Sequence, residues 1–128
     1  MDEITITIPR ERPFSTVAGL VLGGLAARHE VTLDVLDDLQ IALDSVLEHG
    51  NEEDGDVTVI LRVNEAAIEA AVGPVATATA AELAEETGTG LGLRRLLEAT
   101  VDAVSLRERD GGAWIELRKD YELAGSGA

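Results

Sequence analysis

Alternating polar and apolar residues at the two ends of the chain predict strands. Residues 4–8 alternate Ile with Thr and stop at Pro9, which is typical of a short first strand. Residues 101–107 and 113–119 also have strand-like sequences, and they flank an Asp-Gly-Gly turn at 110–112. The pattern therefore predicts one strand at the start of the chain and a hairpin near its end.

A second hairpin is predicted in the middle of the chain. Residues 56–63 place valine or leucine at every second position, so that one face of this strand is apolar. Asn64-Glu65 suits a tight turn, and residues 66–72 would then form the antiparallel partner. Gly73-Pro74 ends that second strand.

The spacing of apolar residues predicts a helix after the first strand. Ser15 or Thr16 can cap its start, and the helix runs to about Arg28. Three glycines weaken this helix by up to about 1 kcal/mol each relative to alanine. Their spacing indicates close packing against another element or another subunit. They are Gly19, Gly23 and Gly24.

The next helix has clear signals at both ends. Thr32 is a suitable N-cap, Asp34 lies in the first turn, and Gly50 suits the C-terminal end. Apolar residues at three- and four-residue spacing form a stripe along one side. The stripe consists of Leu36, Leu39, Leu43, Val46 and Leu47.

The order of these elements predicts the fold class. Residues 75–87 predict a loop with a short helix, and a further helix is expected from residue 91 to about residue 99. Because two of the connections are hairpins, we expect an α+β two-layer sandwich, a mixed or antiparallel sheet with helices on one face. The 128 residues fit one domain over 1–121, followed by a C-terminal tail at 122–128.

Charge and composition narrow the possible partners. The net charge of -15 disfavours direct binding to nucleic acid or an anionic membrane, since phosphate contacts need clustered Lys and Arg. A basic protein partner would suit this charge better. The chain has no cysteine, no basic signal-peptide segment and no apolar stretch long enough to span a membrane. We therefore expect a cytoplasmic protein.

The main candidate for chemistry is a glycine-rich turn before the last predicted helix. It consists of Gly88, Thr89, Gly90, Leu91, Gly92 and Leu93. Its glycines leave room for backbone amides to face an anion, and the helix N-terminus adds partial positive charge. The turn lacks the βαβ context of a dinucleotide fingerprint and the Lys-Ser/Thr of a Walker A loop. It is a candidate phosphate-binding turn, and a purely structural turn is the alternative.

Three segments together resemble the anti-sigma-factor serine kinases of bacterial partner-switching systems, which share the GHKL (Bergerat) ATP-binding fold. The segments are residues 4–9, residues 37–43, and the glycine turn continued by residues 101–104. The order of elements matches roughly over residues 4–119. The resemblance implies an ATP or ADP site and a sigma factor or antagonist-type regulator as protein partner. A homodimer is also expected, since the glycines of the first helix could pack against another subunit.

In that family the long helix carries a Glu that helps to activate the attacking hydroxyl or water. Four residues later an Asn binds magnesium. Alignment on residues 39–43 puts Ser45 at the Glu position and His49 at the Asn position, on a face opposite the apolar stripe. Serine is not a carboxylate base and neutral imidazole is a poor magnesium ligand, so the resemblance implies a defective catalytic and metal site.

A one-residue shift of this alignment offers Asp44 and Glu48 instead. That shift rotates the pair by about 100° toward the edge of the apolar stripe. The competing interpretation of Asp44 and Glu48 is a solvated helix face, which we favour over catalysis.

The family also has an Asp-x-Gly motif after the third strand, whose Asp binds the adenine amino group. No Asp occurs between Asp56 and Asp102 in this chain, so that contact is absent, and Thr77 or Thr79 could replace it only in part. The segment 75–87, where the family has its ATP lid, is short. We expect any nucleotide binding to be weak and indifferent to magnesium.

Three functions are consistent with these features. The first is an anti-sigma-factor-like regulator that acts by binding a protein partner. The second is an active ATP-dependent serine/threonine kinase that phosphorylates an antagonist protein. The third is a structural subunit that self-associates through its glycine-rich first helix.

Overall fold

The computed structural model describes residues 2–9, 12–49, 55–75, 80, 81, 83, 92–109 and 111–121, with backbone alone at 12–15 and 49. The strands are β1 (Asp2–Pro9), β2 (Asp56–Val63), β3 (Ala67–Gly73), β4 (Ala103–Arg109) and β5 (Gly112–Asp120). The helices are α1 (Arg12–Arg28), α2 (Leu33–His49) and α3 (Leu93–Thr100). Residues 80, 81 and 83 are also helical.

The five strands form one sheet in the order β1-β2-β3-β5-β4, and each neighbouring pair is antiparallel. Both predicted hairpins are present, as β2–β3 and β4–β5. The terminal hairpin joins the sheet through β5, which places Ile115 opposite Val72 of β3. The predicted α+β sandwich is confirmed, and its described strands are antiparallel throughout.

One face of the sheet forms the core together with the helices. Val59 and Leu61 of β2, Val72 of β3 and Ile115 of β5 point to this face and are fully buried. Helix α1 contacts β1 and β2, α2 contacts β3 and β5, and α3 contacts α2 and β4. Every second residue of the strands therefore contributes to the core, as the alternating pattern predicts.

The opposite face of the sheet, called the open face below, is covered by no helix among the described residues. It carries the alternate set of strand side chains, several of them charged. By register these residues are Glu3, Thr5 and Thr7 of β1, Asp56, Thr58, Ile60 and Arg62 of β2, Glu69, Ala71 and Gly73 of β3, Trp114, Glu116, Arg118 and Asp120 of β5, and Ala103, Ser105, Arg107 and Arg109 of β4.

Helices α1 and α2 approach each other at two glycines. The side-chain amide of Gln40 donates to the carbonyl of Gly19 at 3.2 Å, and a Cβ on Gly23 would lie 3.9 Å from the same Nε2. A Cβ at Gly19 or Gly24 would meet no described atom within 4 Å, so the close packing expected of these glycines is not found among the described residues. The predicted start of α1 at residue 15 or 16 is wrong, because the helix begins at Arg12 with Pro13 in its first turn, where no amide hydrogen is needed.

The last helix and the following strand both begin two residues later than predicted. Helix α3 starts at Leu93, and β4 starts at Ala103. The Val101 amide donates to the Leu97 carbonyl at 2.9 Å, and the Asp102 carboxylate accepts from the Asp120 amide at 2.7 Å. Residues 101 and 102 therefore turn the chain from α3 into the sheet.

Candidate functional site

The C-terminal end of the glycine turn joins α3. Gly92 is the N-cap of that helix, with extended backbone angles, and its carbonyl accepts from the Leu96 amide at 3.1 Å. Leu93 follows as the first helical residue, and its side chain is buried in the core. The remaining residues of the turn, Gly88, Thr89, Gly90 and Leu91, lie outside the described residues.

The first turn of α3 has an electrostatic character that suits an anion. It contains no acidic residue, and Arg94 and Arg95 lie in it. A helix N-terminus already has partial positive charge, so two arginines there are unfavourable for the helix itself and favourable for a nearby anion. This is the feature of the described site that best fits a phosphate group.

Arg94 also has a structural role that sequence reasoning missed. Its Nη1 donates to the carbonyl of Leu83 at 2.7 Å, and its Nε lies 3.6 Å from the Glu98 carboxylate. Leu83 is fully buried. Arg94 therefore ties α3 to the helical residue Leu83, which precedes the glycine turn. From the sequence, the four-residue spacing of Arg94 and Glu98 predicts the ion pair between them within α3. Nothing in the sequence pattern predicts the hydrogen bond from Arg94 to Leu83.

Helix α2 has the predicted bounds and carries the two positions where the resemblance places the base and the magnesium ligand. Ser45 is half-buried, and its hydroxyl donates to the Ile41 carbonyl one turn back at 2.7 Å. A serine hydroxyl bonded in this way satisfies itself on its own helix and offers no carboxylate. His49 is the last residue of α2, and its side chain lies outside the described atoms.

The expected arrangement of faces on α2 is wrong. Asp44 and Glu48 are exposed, whereas Ser45 is half-buried and flanks the buried residues Ala42 and Val46. Ala42 is buried together with the predicted leucines, so the buried face of α2 is wider than the predicted stripe. Because successive residues are about 100° apart around a helix, Ser45 then lies at the edge of this buried face. The interpretation of Asp44 and Glu48 as a solvated helix face is confirmed.

Asp44 nevertheless has a perturbed ionisation. Partial burial, and then the negative charge of Glu48 one turn away, raise the pKa of the Asp44 carboxyl above its ordinary value. Both causes disfavour its charged form. Asp44 is accordingly protonated more easily than an ordinary aspartate, although its side chain is exposed.

No acidic side chain stands among the described residues at the end of β3 to accept a hydrogen bond from an adenine amino group. The strand ends at Gly73, followed by Pro74, and the Val75 amide donates to the Ala113 carbonyl at 2.8 Å. The ring of Trp114 lies so close to Gly73 that a Cβ there would overlap it. Thr77 and Thr79 lie outside the described residues. The space beside the end of β3 is thus filled by the Trp114 ring.

A contact near the other end of the molecule was also missed. The His29 Nε2 lies 2.9 Å from the Asp2 carboxylate, and the Arg28 guanidinium lies 3.5 Å from the same oxygen. The hydrogen bond to His29, helped by the charge of Arg28, holds the pKa of Asp2 below its ordinary value. This contact fastens β1 to the end of α1.

The described residues contain neither a cluster of metal-ligand side chains nor a membrane-spanning helix. No group of three or more His, Asp or Glu side chains there could hold a metal ion. No helix in the same part of the chain is long and apolar enough to cross a membrane.

The described residues fit only the phosphate end of a magnesium–nucleotide complex. The first turn of α3 is electropositive, whereas α2 presents a self-bonded serine and β3 ends without an acidic side chain. The aligned base position, Ser45, has no carboxylate, and the side chain at the aligned magnesium position, His49, lies outside the described atoms.

Comparison with known proteins gives one distant relative. No family profile matches the chain. The serine-protein kinase RsbW of Listeria innocua is 26% identical to it over 132 residues, covering 86% of this chain and 82% of that protein. The similarity therefore extends over most of both proteins.

Proposed function

Because this chain is a distant relative of the anti-sigma-factor serine kinases, we propose that it is an anti-sigma-factor-like regulator that acts by binding a protein partner. Its partner is a sigma factor or an antagonist-type regulator, and it works in the cytoplasm as a homodimer. It binds nucleotide weakly or not at all, and it has lost efficient kinase activity. The net charge of -15 supports a basic partner surface.

The observation that carries this proposal is the state of Ser45. The position aligned with the family's base has a hydroxyl that donates to the Ile41 carbonyl at 2.7 Å. Such a group has no proton-accepting strength near neutral pH, so a protein substrate's hydroxyl would not be activated there. A fold can persist as a binding module after its site residues have changed.

The nucleotide part of the proposal rests on α3. Its electropositive first turn supports contact with phosphate groups, and the glycine turn before it is the second expected contact. When bound, a nucleotide would supply a phosphoryl group. The N-terminus of α3 would hold that group, and α2 would have no carboxylate at the aligned base position, Ser45.

The decisive experiment is a calorimetric titration with ATP or ADP, with and without magnesium. We expect dissociation constants in the millimolar range that change less than about threefold when magnesium is added. Tight binding that requires magnesium would overturn the assignment of Ser45 and His49. If the alignment is right, the wild type binds weakly and the double variant Ser45→Glu/His49→Asn should gain magnesium dependence.

A matched variant separates the two alignments of α2. Asp44→Asn removes the carboxyl that the shifted alignment would use, while leaving Ser45 in place. We expect no change in nucleotide affinity. If Asp44→Asn abolishes a magnesium-dependent affinity seen in the wild type, then the pair Asp44 and Glu48 forms the site and the active kinase becomes the better proposal.

The protein-binding part needs its own measurement. The purified protein should capture a sigma factor or an antagonist-type regulator from the organism's extract, with the captured proteins identified by mass spectrometry. Recovery of neither class would contradict the proposed partner, whatever the result with nucleotide.

A further inference from the structure

Strand β4 forms one edge of the sheet. Among the described strands it pairs only with β5, and Arg109 and Gly112 are the closing pair of that hairpin. In a hairpin with a two-residue turn the closing pair is hydrogen bonded, and bonded pairs then alternate along the strand. The amides and carbonyls of Val104, Leu106 and Glu108 therefore point away from β5. No described residue bonds to them from the other side.

An edge of this kind can take up one more strand. The unpaired backbone groups of an edge strand are a template for an extended segment of another chain, which bonds to them through its own main chain. Strand β4 has seven residues, so its free edge is about 23 Å long. It contains no proline that would interrupt such pairing.

The helix side of this edge is apolar and exposed. Val104 and Leu106 point to that side, because they lie opposite the core residues Leu117 and Ile115. Leu106 is 39% exposed, and Leu96 of α3, the helix that packs on β4, is 42% exposed. We call Leu96, Val104 and Leu106 the apolar margin of β4. Apolar side chains of an added strand would cover it.

The other side of this edge is basic. Arg107 and Arg109 are exposed there. Arg107 lies 3.1 Å from Glu116, whereas Arg109 stacks over the Trp114 ring at 5.1 Å and has no carboxylate partner among the described residues. Residues 93–109 contain four arginines and three acidic residues, in a chain with a net charge of -15. This stretch therefore attracts an acidic segment that the chain as a whole would repel.

We propose that an extended segment of a protein partner, with apolar and acidic residues in alternation, adds to β4 as a sixth strand of the sheet. Its main chain bonds to the outward backbone groups at positions 104, 106 and 108. Its apolar side chains cover the apolar margin, and its acidic side chains lie beside Arg107 and Arg109. Side chains directly opposite each other on neighbouring strands are about 4.5–5.5 Å apart, which is close enough for both contacts. This surface goes beyond the proposed function.

The other edge strand, β1, is the competing position. Its charged residues are the acids Asp2 and Glu3. Arg28 lies 3.5 Å from Asp2 and Arg62 lies 2.8 Å from Glu3, so the basic groups near β1 are already paired with its own carboxylates. An acidic segment would meet like charges along β1, and its charge therefore selects β4.

The test uses the full-length protein and a labelled synthetic peptide of about eight residues in which valine and glutamate alternate. Fluorescence anisotropy measures its affinity, and we expect a dissociation constant of about 100 μM. Replacing every glutamate by lysine should weaken binding at least about tenfold, because the charges then repel Arg107 and Arg109. A fully N-methylated form keeps the side chains and loses its amide donors, so it should not bind.

Hydrogen exchange followed by NMR locates the bound peptide. With saturating peptide, the outward amides of Val104, Leu106 and Glu108 should exchange at least about tenfold more slowly. The amides of Ser105 and Arg107, which already bond to β5, should change much less. Slower exchange along β1 and not along β4 would overturn the proposal.

Matched variants test the two sides of the edge. Leu106→Glu puts a negative charge on the apolar margin, and Leu20→Glu makes the same exchange on α1, where Leu20 is 72% exposed. Arg109→Glu reverses a charge beside the added strand, and Arg28→Glu reverses one at the end of α1. We expect Leu106→Glu and Arg109→Glu to weaken peptide binding at least about tenfold and the two control variants to leave it unchanged. Leu96→Glu serves if Leu106→Glu fails to fold, as judged by circular dichroism.

The remaining outcomes also decide the question. No binding at about 1 mM peptide overturns the proposal, and so does equal binding of the glutamate and lysine peptides. Binding that is lost in Leu20→Glu and kept in the variants of the apolar margin overturns it as well. A protein that binds the peptide along β4 and captures no sigma factor or antagonist supports this inference and contradicts only the proposed function.

Discussion

Ser45 and Gly73 stand near two places where the family resemblance leads one to expect acidic side chains, and each has a structural partner instead. The Ser45 hydroxyl donates to the Ile41 carbonyl, and the Trp114 ring lies against Gly73. The absence of an acid at these places is thus accompanied by local packing. At Gly73, a larger side chain would fit only if Trp114 also moved or changed.

Gly73 allows a test of this packing. Gly73→Ala should lower the free energy of unfolding by about 1–3 kcal/mol, because the new methyl group would overlap the indole ring of Trp114. Gly24→Ala, in α1 with open space around its Cβ position, should raise it by about 0.5–1 kcal/mol. Urea denaturation of both variants measures the two changes. Equal effects would show that Trp114 does not restrict Gly73.

Asp44 gives a pH-dependent prediction. Its folded-state pKa is raised by burial and by Glu48, so its ionisation destabilises the fold as pH rises from the unfolded-state pKa of about 3.9 to the folded-state pKa. Asp44→Asn should therefore increase stability at pH 7 and lose this advantage below about pH 4.

Thermal unfolding at several pH values measures the Asp44 effect. Asp37→Asn removes the same charge from another exposed position on α2 and serves as the control. A stabilisation by Asp44→Asn that is independent of pH would contradict a role for ionisation.

At the scale of elements, the junctions differ most from what the pattern predicts. The prediction that α3 begins at residue 91 and β4 at residue 101 failed, since apolar periodicity continues through the residues that turn the chain. Burial of Leu93 and Leu97 places α3 against the core, and Arg94 joins this helix to Leu83. Lys119 of β5 joins α2 through Asp38 at 3.1 Å.

Arg94 should be the more important of two adjacent arginines. Arg94→Met keeps the length of the side chain and removes the bond to the Leu83 carbonyl, so we expect a loss of about 1.5–3 kcal/mol in unfolding free energy. Arg95 is exposed, and Arg95→Met should change stability by less than about 0.5 kcal/mol.

Equilibrium denaturation compares these two variants directly. Hydrogen exchange should also become faster at Leu83 in Arg94→Met and stay unchanged in Arg95→Met. If both variants behave alike, the bond from Arg94 makes no specific contribution to holding α3.

At the scale of the whole molecule, the described charges are unevenly distributed. The open face carries four arginines and five carboxylates and is close to neutral, whereas α2 carries five acidic residues and no lysine or arginine. With a net charge of -15, the folded chain is under internal repulsion to which α2 contributes.

Salt should relieve this repulsion. Raising the ionic strength from about 10 mM to about 150 mM shortens the screening length from about 30 Å to about 8 Å, so we expect the thermal midpoint to rise. Glu48→Gln, which removes one charge from the helix layer, should reduce that rise. A midpoint that falls with salt would instead show that pairs such as Arg107–Glu116 dominate the electrostatic stability.

The sequence by itself determined which segments are strands and helices, the two hairpins and the lack of an Asp after β3, because these depend on local periodicity and residue identity. It did not determine that β5 pairs with β3, that Ser45 flanks the buried face, or that Arg94 reaches Leu83. Those features join residues distant in the chain or depend on which helix side is covered, and they exist only once the sheet and helices have packed. The neutral open face is of the same kind, since strand register brings its charges together.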